Sequence, residues 1–267
     1  MRPMLLACAL FLALAPAAPA LAQPSDRGLD KDIIASQGFL AGHPDMRFRL
    51  AGLRAYRKGN YTEAMNLFRR AARFGDKPSQ GMLAEMYWAG QGVEADPALA
   101  YAWMDLAGER RYPMMLAKRE SYWEKLDEAT RARALEVGAG IYAEYGDDVA
   151  RPRLERELRR ARSQATGSRL GFVGSIKIYL PTPNGDVIVD GASYYDKKFW
   201  DIEKYTEWHD AEWVREAEGT VDVGELMSAG TALSEDDAAL DAALDEALYE
   251  VPGETDETDE AGQSGED

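Results

Sequence analysis

Only one cysteine, Cys8, and two histidines, His43 and His209, occur in the 267 residues, which removes most of the side chains from which metal centres and nucleophilic dyads are built. His209 has Asp210, Glu207 and Glu212 beside it, a set that reads as hydrated surface groups rather than a metal site. There is no Gly-x-Ser-x-Gly elbow, no phosphate-binding glycine loop and no His-Glu-x-x-His. No catalytic residue, cofactor or metal ligand is therefore assigned. Beyond the first residues there is no apolar run long enough to span a bilayer, so no stable membrane insertion is expected after the leader is removed.

That leader is residues 1–22. Arg2 supplies a positive start, Met4 to Leu14 is apolar but too short to span, and Ala20-Leu21-Ala22 puts small residues before a cleavage between Ala22 and Gln23. Cys8 lies in a Leu-Leu-Ala-Cys run like a lipoprotein processing site, but cutting there would leave almost no hydrophobic segment for export. The expected destination is the periplasm or the medium. The mature chain then has no cysteine, so its stability must come from burial rather than disulfides.

Within the mature chain two stretches repeat. Gly52 to Ala72 and Leu83 to Ala107 align at two fixed offsets: Tyr56 with Tyr87 and Gly59 with Gly90, 31 residues apart, and Ala64 with Ala100, Leu67 with Trp103, Phe68 with Met104 and Ala71 with Ala107, 36 apart. Each helix of the pair keeps its own register. The five extra residues fall in the second copy's turn and leave both apolar faces intact. Small residues such as Ala51, Gly52, Ala55, Ala64 and Ala71 in one copy, and Ala84, Ala100 and Ala107 in the other, allow close helix crossings, with Tyr56 and Tyr87 filling the gap between. A repeating helix pair predicts a stacked α-solenoid.

The second copy resembles the Sel1-like repeat family, the branch of the tetratricopeptide superfamily with longer turns, through Leu83, Met86, Tyr87, Gly90, Gly92, Val93, Asp96, Ala100, Trp103 and Ala107. It departs from that pattern at Ser79, Ala84 and Gly108, and the first copy lacks the Gly-x-Gly-Val turn. The likeness covers about residues 45–111. It implies an adaptor role rather than catalysis. Positions at the 31-residue offset, Arg54 with Glu85 and Arg57 with Trp88, would occupy equivalent places on successive first helices and are the candidate partner-binding residues.

Flanking helices must cover the ends of so short a stack. A helix around Ile33 to Leu40 is expected before it, and after it one opened by Pro113, with Leu116, Trp123 and Leu126 on a face. A second follows, capped by Asp127 and running from Glu128 to Tyr145, with Leu135, Gly138, Ala139 and Tyr142 as its stripe. Arg151 to Arg162 holds six arginines and two glutamates around Leu154 and Leu158, with Pro152 suited to a first turn. The absence of interleaved aromatics there argues against nucleic acid. Anionic lipid, a glycan phosphate or the chain's own tail remain open, as does a plain solvated face.

The texture changes after residue 166. Ser175 to Leu180 and Val187 to Asp190 read as a β-hairpin across Pro-Thr-Pro-Asn-Gly-Asp. Tyr194, Tyr195, Phe199, Trp200, Tyr205, Trp208 and Trp213 follow, either anchoring this segment to the helices, the favoured reading, or forming a recognition patch for sugar or peptide. From Leu233 to Asp267 there are 14 acidic residues and no basic ones, so most of the net charge of -16 sits in the tail. From Val251 onward the tail has nothing to bury and reads as disordered.

The sequence thus predicts a mainly α chain: a leader at 1–22, a Sel1-like helical repeat domain with capping helices at 23–166, an aromatic-rich extension with a hairpin at 167–232 and an acidic, mostly disordered tail at 233–267. The expected function is an exported, non-enzymatic scaffold that binds a protein or peptide through the repeat surface. The alternative is a cell-envelope glycan-binding module or weak hydrolase using the aromatic segment.

Overall fold

The structure is a computed structural model and describes residues 24–166, 176–181 and 186–218. The expected leader with its Ala22–Gln23 cleavage point, the hairpin turn at 182–185 and the acidic tail lie outside the described residues. The chain is mainly helical, with one small antiparallel hairpin. Before the repeats there are two short helices rather than one, α1 (Pro24–Ile34) and α2 (Gln37–Gly42). The break comes at Ser36, whose hydroxyl accepts from the Phe39 N–H and donates to the Ile33 carbonyl, an N-cap that restarts the helix.

The repeats form two antiparallel pairs, α3 (Pro44–Arg57) with α4 (Tyr61–Ala72) and α5 (Lys77–Ala89) with α6 (Pro97–Ala107). Asp76 and Asp96 cap α5 and α6, each just ahead of a proline in the first turn, which fixes where both helices start. In the first pair α3 and α4 cross so closely that a β-carbon on Gly52 would lie 2.7 Å from the Phe68 ring. In the longer turn of the second pair Gly92 is left-handed, at φ 75°, and a β-carbon there would meet the Tyr61 backbone at 2.7 Å, so the turn nests against the start of α4. The pairs stack through α4 and α5.

Two more helices, α7 (Pro113–Lys125) and α8 (Glu128–Tyr145), then pack on α6. Their caps fall where expected, but their buried faces do so only in part: Leu126 and Tyr142 pack inward as expected, and other members of each face do not. On α8 the inward residues are Ala134 and Ile141, with Val137 and Tyr142 packed beside them, while Leu135 is 63% exposed and Ala139 also faces out. On α7 the buried residues are Met115 and Tyr122, rather than Leu116 and Trp123. Alanine and glycine are permissive enough that several faces satisfy a helical spacing, and the burying face is chosen by what α6 offers. The arginine-rich helix, α9 (Asp147–Thr166), starts four residues before the expected point, so Pro152 is internal to it, not in its first turn.

Beyond α9 come β1 (Lys177–Leu180) and β2 (Val187–Asp190), paired with Lys177 opposite Asp190 and Leu180 opposite Val187. Three helices follow: α10 (Gly191–Tyr194), α11 (Lys197–Trp200) and α12 (Ile202–Glu218). Two cores result. One lies within the repeats and α7–α8, from Leu53, Phe68, Leu83, Met86, Trp103, Met104 and Leu106. The other joins Ile33, Phe39 and Leu40 from the N-terminal helices to Leu154 and Leu158 of α9 and to Tyr194, Phe199, Trp200 and Tyr205. Six of the seven aromatic residues between 194 and 213 are buried and Trp208 is half-buried, so the run anchors the extension onto the helices.

Candidate functional site

Tyr205 and His209, one turn apart on α12, meet Asp45 and Arg49, one turn apart on α3. The Tyr205 hydroxyl donates to Asp45 Oδ2 at 2.6 Å, and Arg49 Nη1 donates to His209 Nε2 at 2.9 Å. Further along, Asp210 accepts from the Tyr112 hydroxyl and from Arg110 Nη1, and Trp213 enters the repeat core. A segment of the chain's own C-terminal part thus lies against the first half of α3 and the residues just after α6, held at residues 205, 209, 210 and 213.

Beneath it is a buried charge network. Asp76 is the pivot on one side: its Oδ2 caps α5 at the Ser79 N–H while Oδ1 takes Arg49 at 2.8 Å. On the other side Lys77, fully buried, reaches Glu109 Oε2 at 2.6 Å, Asp147 Oδ1 at 3.1 Å and the Leu106 carbonyl at 3.4 Å. Arg110 grips Asp147 through two bonds, Nε to Oδ2 at 2.7 Å and Nη2 to Oδ1 at 3.0 Å. Burial alone would lift the Asp147 carboxyl, but Arg110 and Lys77 outweigh it and hold it below its ordinary range. Burial would likewise lower the Arg110 guanidinium, and Asp147 overrides that.

The two histidines are buried, which corrects the surface reading of His209. Burial, with Arg49, Arg110 and His43 adding to it, pushes His209 well below 6.5, so its neutral ring accepts from Arg49. His43 stacks on Phe39 at 3.7 Å between ring centres, and its two nitrogens face the Phe39 and Phe199 carbonyls at 2.8 and 2.7 Å. Burial lowers it to about 4 against the pull of those carbonyls. Asp45 moves the other way, raised by burial to about 6, and its Oδ1 has no hydrogen-bond partner among the described residues.

Asp45, Asp76, Arg110, Arg151, Tyr205 and His209 line a small cleft, part of it open to solvent, with room for about one water and not for an organic substrate. Among the described residues no group of three His, Cys, Asp or Glu side chains is placed to hold a metal ion.

The four residues singled out from the repeat offset are placed as follows. Glu85 meets Lys118 of α7 at 2.8 Å; Trp88 stacks on Tyr122 at 4.1 Å, and Lys125 Nζ lies 5.6 Å from its ring centre. These two are brought together with α7. Arg57 is exposed and Arg54 half-buried on α3, where the neighbouring Tyr56 donates to Gln91 Oε1 just beyond α5. The network of Asp45, Arg49, Asp76, Lys77, Arg110, Asp147 and Asp210 was not foreseen, because its partners are distant in sequence and carry no spacing signal. A simpler signal was present and passed over: from Pro44 to Arg73 there are eight basic residues and two acidic ones. Among the described residues, no helix is long and apolar enough to cross a membrane. No protein-family model, curated protein or solved structure matches the chain.

Proposed function

We propose that this is an exported, non-enzymatic interaction scaffold of the Sel1-like kind, binding a protein or peptide partner on the wall of first helices near Arg54, Arg57, Glu85 and Trp88. The observation that carries the reading is α12: side chains spaced four, five and eight residues from Tyr205 meet Asp45, Arg49, Arg110, Tyr112 and the repeat core, which is how a groove grips a helical peptide. The stack holds its own segment against the start of α3, and the far ends of α3 and α5 leave Arg57 exposed and Trp88 half-covered. The network under α12 is saturated with internal ion pairs and opens onto a cleft of one-water size, which favours a rigid support over a reaction centre.

The glycan alternative has less to rest on, since most of the aromatic run is in the core. The experiment is affinity capture from envelope extract with the mature chain, compared with Arg57→Glu and Trp88→Ala. Trp88→Ala also strips the Tyr122 stack, so the circular dichroism of each variant is matched to the parent first. Loss of a captured protein from Arg57→Glu supports the reading; identical recovery by both variants removes it.

A further inference from the structure

The small cleft between α3, α9 and α12 is lined by three cations, and two of them are answered. Arg49 has Asp76 at 2.8 Å, and Arg110 holds Asp147 through two bonds. Arg151 of α9 pairs with no carboxylate among the described residues, and its Nε is buried without a hydrogen bond. Asp45 of α3 is the acid left over on the same cleft. Its Oδ2 accepts from the Tyr205 hydroxyl, while Oδ1, on a side chain that is only 3% exposed, has no hydrogen-bond partner among the described residues.

The protonation state of Asp45 decides what such a cleft can hold. When the carboxylate is ionised, its charge and that of Arg151 face one small volume and offset each other. When it is protonated, the hydrogen belongs on Oδ1, because Oδ2 is already engaged by Tyr205 at 2.6 Å. Oδ1–H and Arg151 Nε–H are then buried donors without an acceptor, and Arg151 is a cation without an anion. The other charged and titratable groups facing Asp45 supply neither. Arg49 shares its helix, and both oxygens of Asp76, at the start of α5, are taken by Arg49 and the Ser79 N–H. Arg110, after α6, is a cation; Tyr205 and His209 of α12 are bonded to Asp45 and Arg49, and the nitrogens of His43, before α3, face backbone carbonyls.

We propose that this cleft binds one small monovalent anion of halide size, taken up together with a proton on Asp45 Oδ1. The anion accepts from Oδ1–H and from Arg151 Nε–H, tying α3 to α9 beside Tyr205 and His209. Because proton and anion enter as a pair, the net charge of the junction does not change. The size of the cleft, close to that of one water, admits a halide and excludes phosphate, sulfate or an organic acid. Burial raises the Asp45 carboxyl to about 6, so the proton arrives in mild acid. By linkage, the bound anion raises it further, and the proton raises the anion's affinity by the same factor. The site is separate from Arg54, Arg57, Glu85 and Trp88 and does not depend on what they bind.

The probe is chloride on the full mature chain, with gluconate holding the ionic strength at about 0.1 M so that general screening is constant. The excess chloride NMR line width should saturate at about pH 5.5, and the affinity should fall about tenfold for each pH unit above 6. The Asp45 carboxyl carbon, followed by NMR on the same chain, should show its titration midpoint rising by about one pH unit for each tenfold of chloride beyond half-saturation. In Asp45→Asn, Tyr205 donates to the amide oxygen and leaves the amide N–H groups for the cleft, so chloride affinity should be equal at about pH 5.5 and about pH 7.5, within about twofold. Arg151→Gln should lose at least about tenfold in affinity with its circular dichroism unchanged. Absence of saturable broadening, parent affinity that is the same at both pH values, or broadening that Arg151→Gln leaves intact would each overturn the inference. So would an Asp45 midpoint that chloride does not move, a result read on the parent chain and therefore independent of how well either variant folds.

Discussion

The two larger cores are assembled in opposite ways. The repeat core joins helices that follow one another, with alanine and glycine setting the distance and Leu83, Met86 and Met104 filling it. The second core joins Phe39 and Leu40 to Phe199 and Trp200, about 160 residues later, and has to fill a gap among elements from distant parts of the chain, which it does with large rings. Periodic small side chains suffice where sequence neighbours stack. Aromatic bulk is needed where segments distant in sequence meet. The acidic network of Asp76, Asp147 and Asp210 with Arg49, Lys77 and Arg110 is the seam between the two.

The largest effects come from emptying each core. Phe68→Ala and Phe199→Ala both remove a fully buried ring, and each is expected to cost about 3–5 kcal/mol. If the seam couples the cores, both variants lower a single urea transition that is the same by circular dichroism and tryptophan fluorescence. If Phe199→Ala instead splits the transition, with fluorescence from Trp200 and Trp208 moving first, the comparison becomes one of two separately stable units.

The seam itself comes next. Asp147→Ala leaves the fully buried Lys77 with Glu109 alone and Arg110 with Asp210 alone, and breaking such a pair is expected to cost about 3 kcal/mol. Hydrogen exchange should quicken in α12 before it quickens in α6. Uniform quickening would mean that Asp147 stabilises the whole fold rather than the junction.

These expectations show where sequence reading works. The cap at Asp127 and the glycine turn at Gly90 were legible because capping and chirality are local; Asp76 and Asp96 cap their helices by the same local chemistry. The hairpin was legible for the same reason, from alternation between two turn signals. The burying face of α8 was not, because Ala134 and Leu135 are both acceptable to a lone helix and the choice belongs to α6. Arg54, Arg57, Glu85 and Trp88 were chosen by position in the repeat alone. The partners of Asp45 and Arg49 on α12 lie 160 residues away, and no periodicity reaches that far.

Acid separates the cores further, since His43, Asp45 and His209 all lie where α2 and α3 meet α11 and α12. His43 falls from 6.5 unfolded to about 4 folded, so its stabilisation is complete above 6.5 and is lost as pH drops toward 4. Asp45 rises from 3.8 to about 6, so its contribution is complete below 3.8 and is lost as pH climbs through 6. At 1.36 kcal/mol per pH unit these oppose each other by about 3 kcal/mol apiece, and His209, also lowered, tips the balance toward acid loss. Asp45→Asn removes the opposing half. Its unfolding free energy, from urea titration, should therefore fall more steeply than the parent's between pH 6.5 and 4.5, by about 2 kcal/mol, and parallel curves would refute the assignment of opposed titrations.

The smallest effect is expected where the helical spacing on the repeat side misled. Leu135 is 63% exposed on α8, and the turn that carries it is held by Ala134, buried against Ala98 and Leu126. Leu135→Gln exchanges one good helix former for another and uncovers nothing, so its urea midpoint should match the parent within about 0.5 kcal/mol. Ala134→Gln, one residue away, forces a long polar side chain into that contact and should cost several times more. Equal costs at the two positions would mean that α8 is free to rotate on α6, and that the repeat core depends on its last helix less than its sequence-adjacent construction implies.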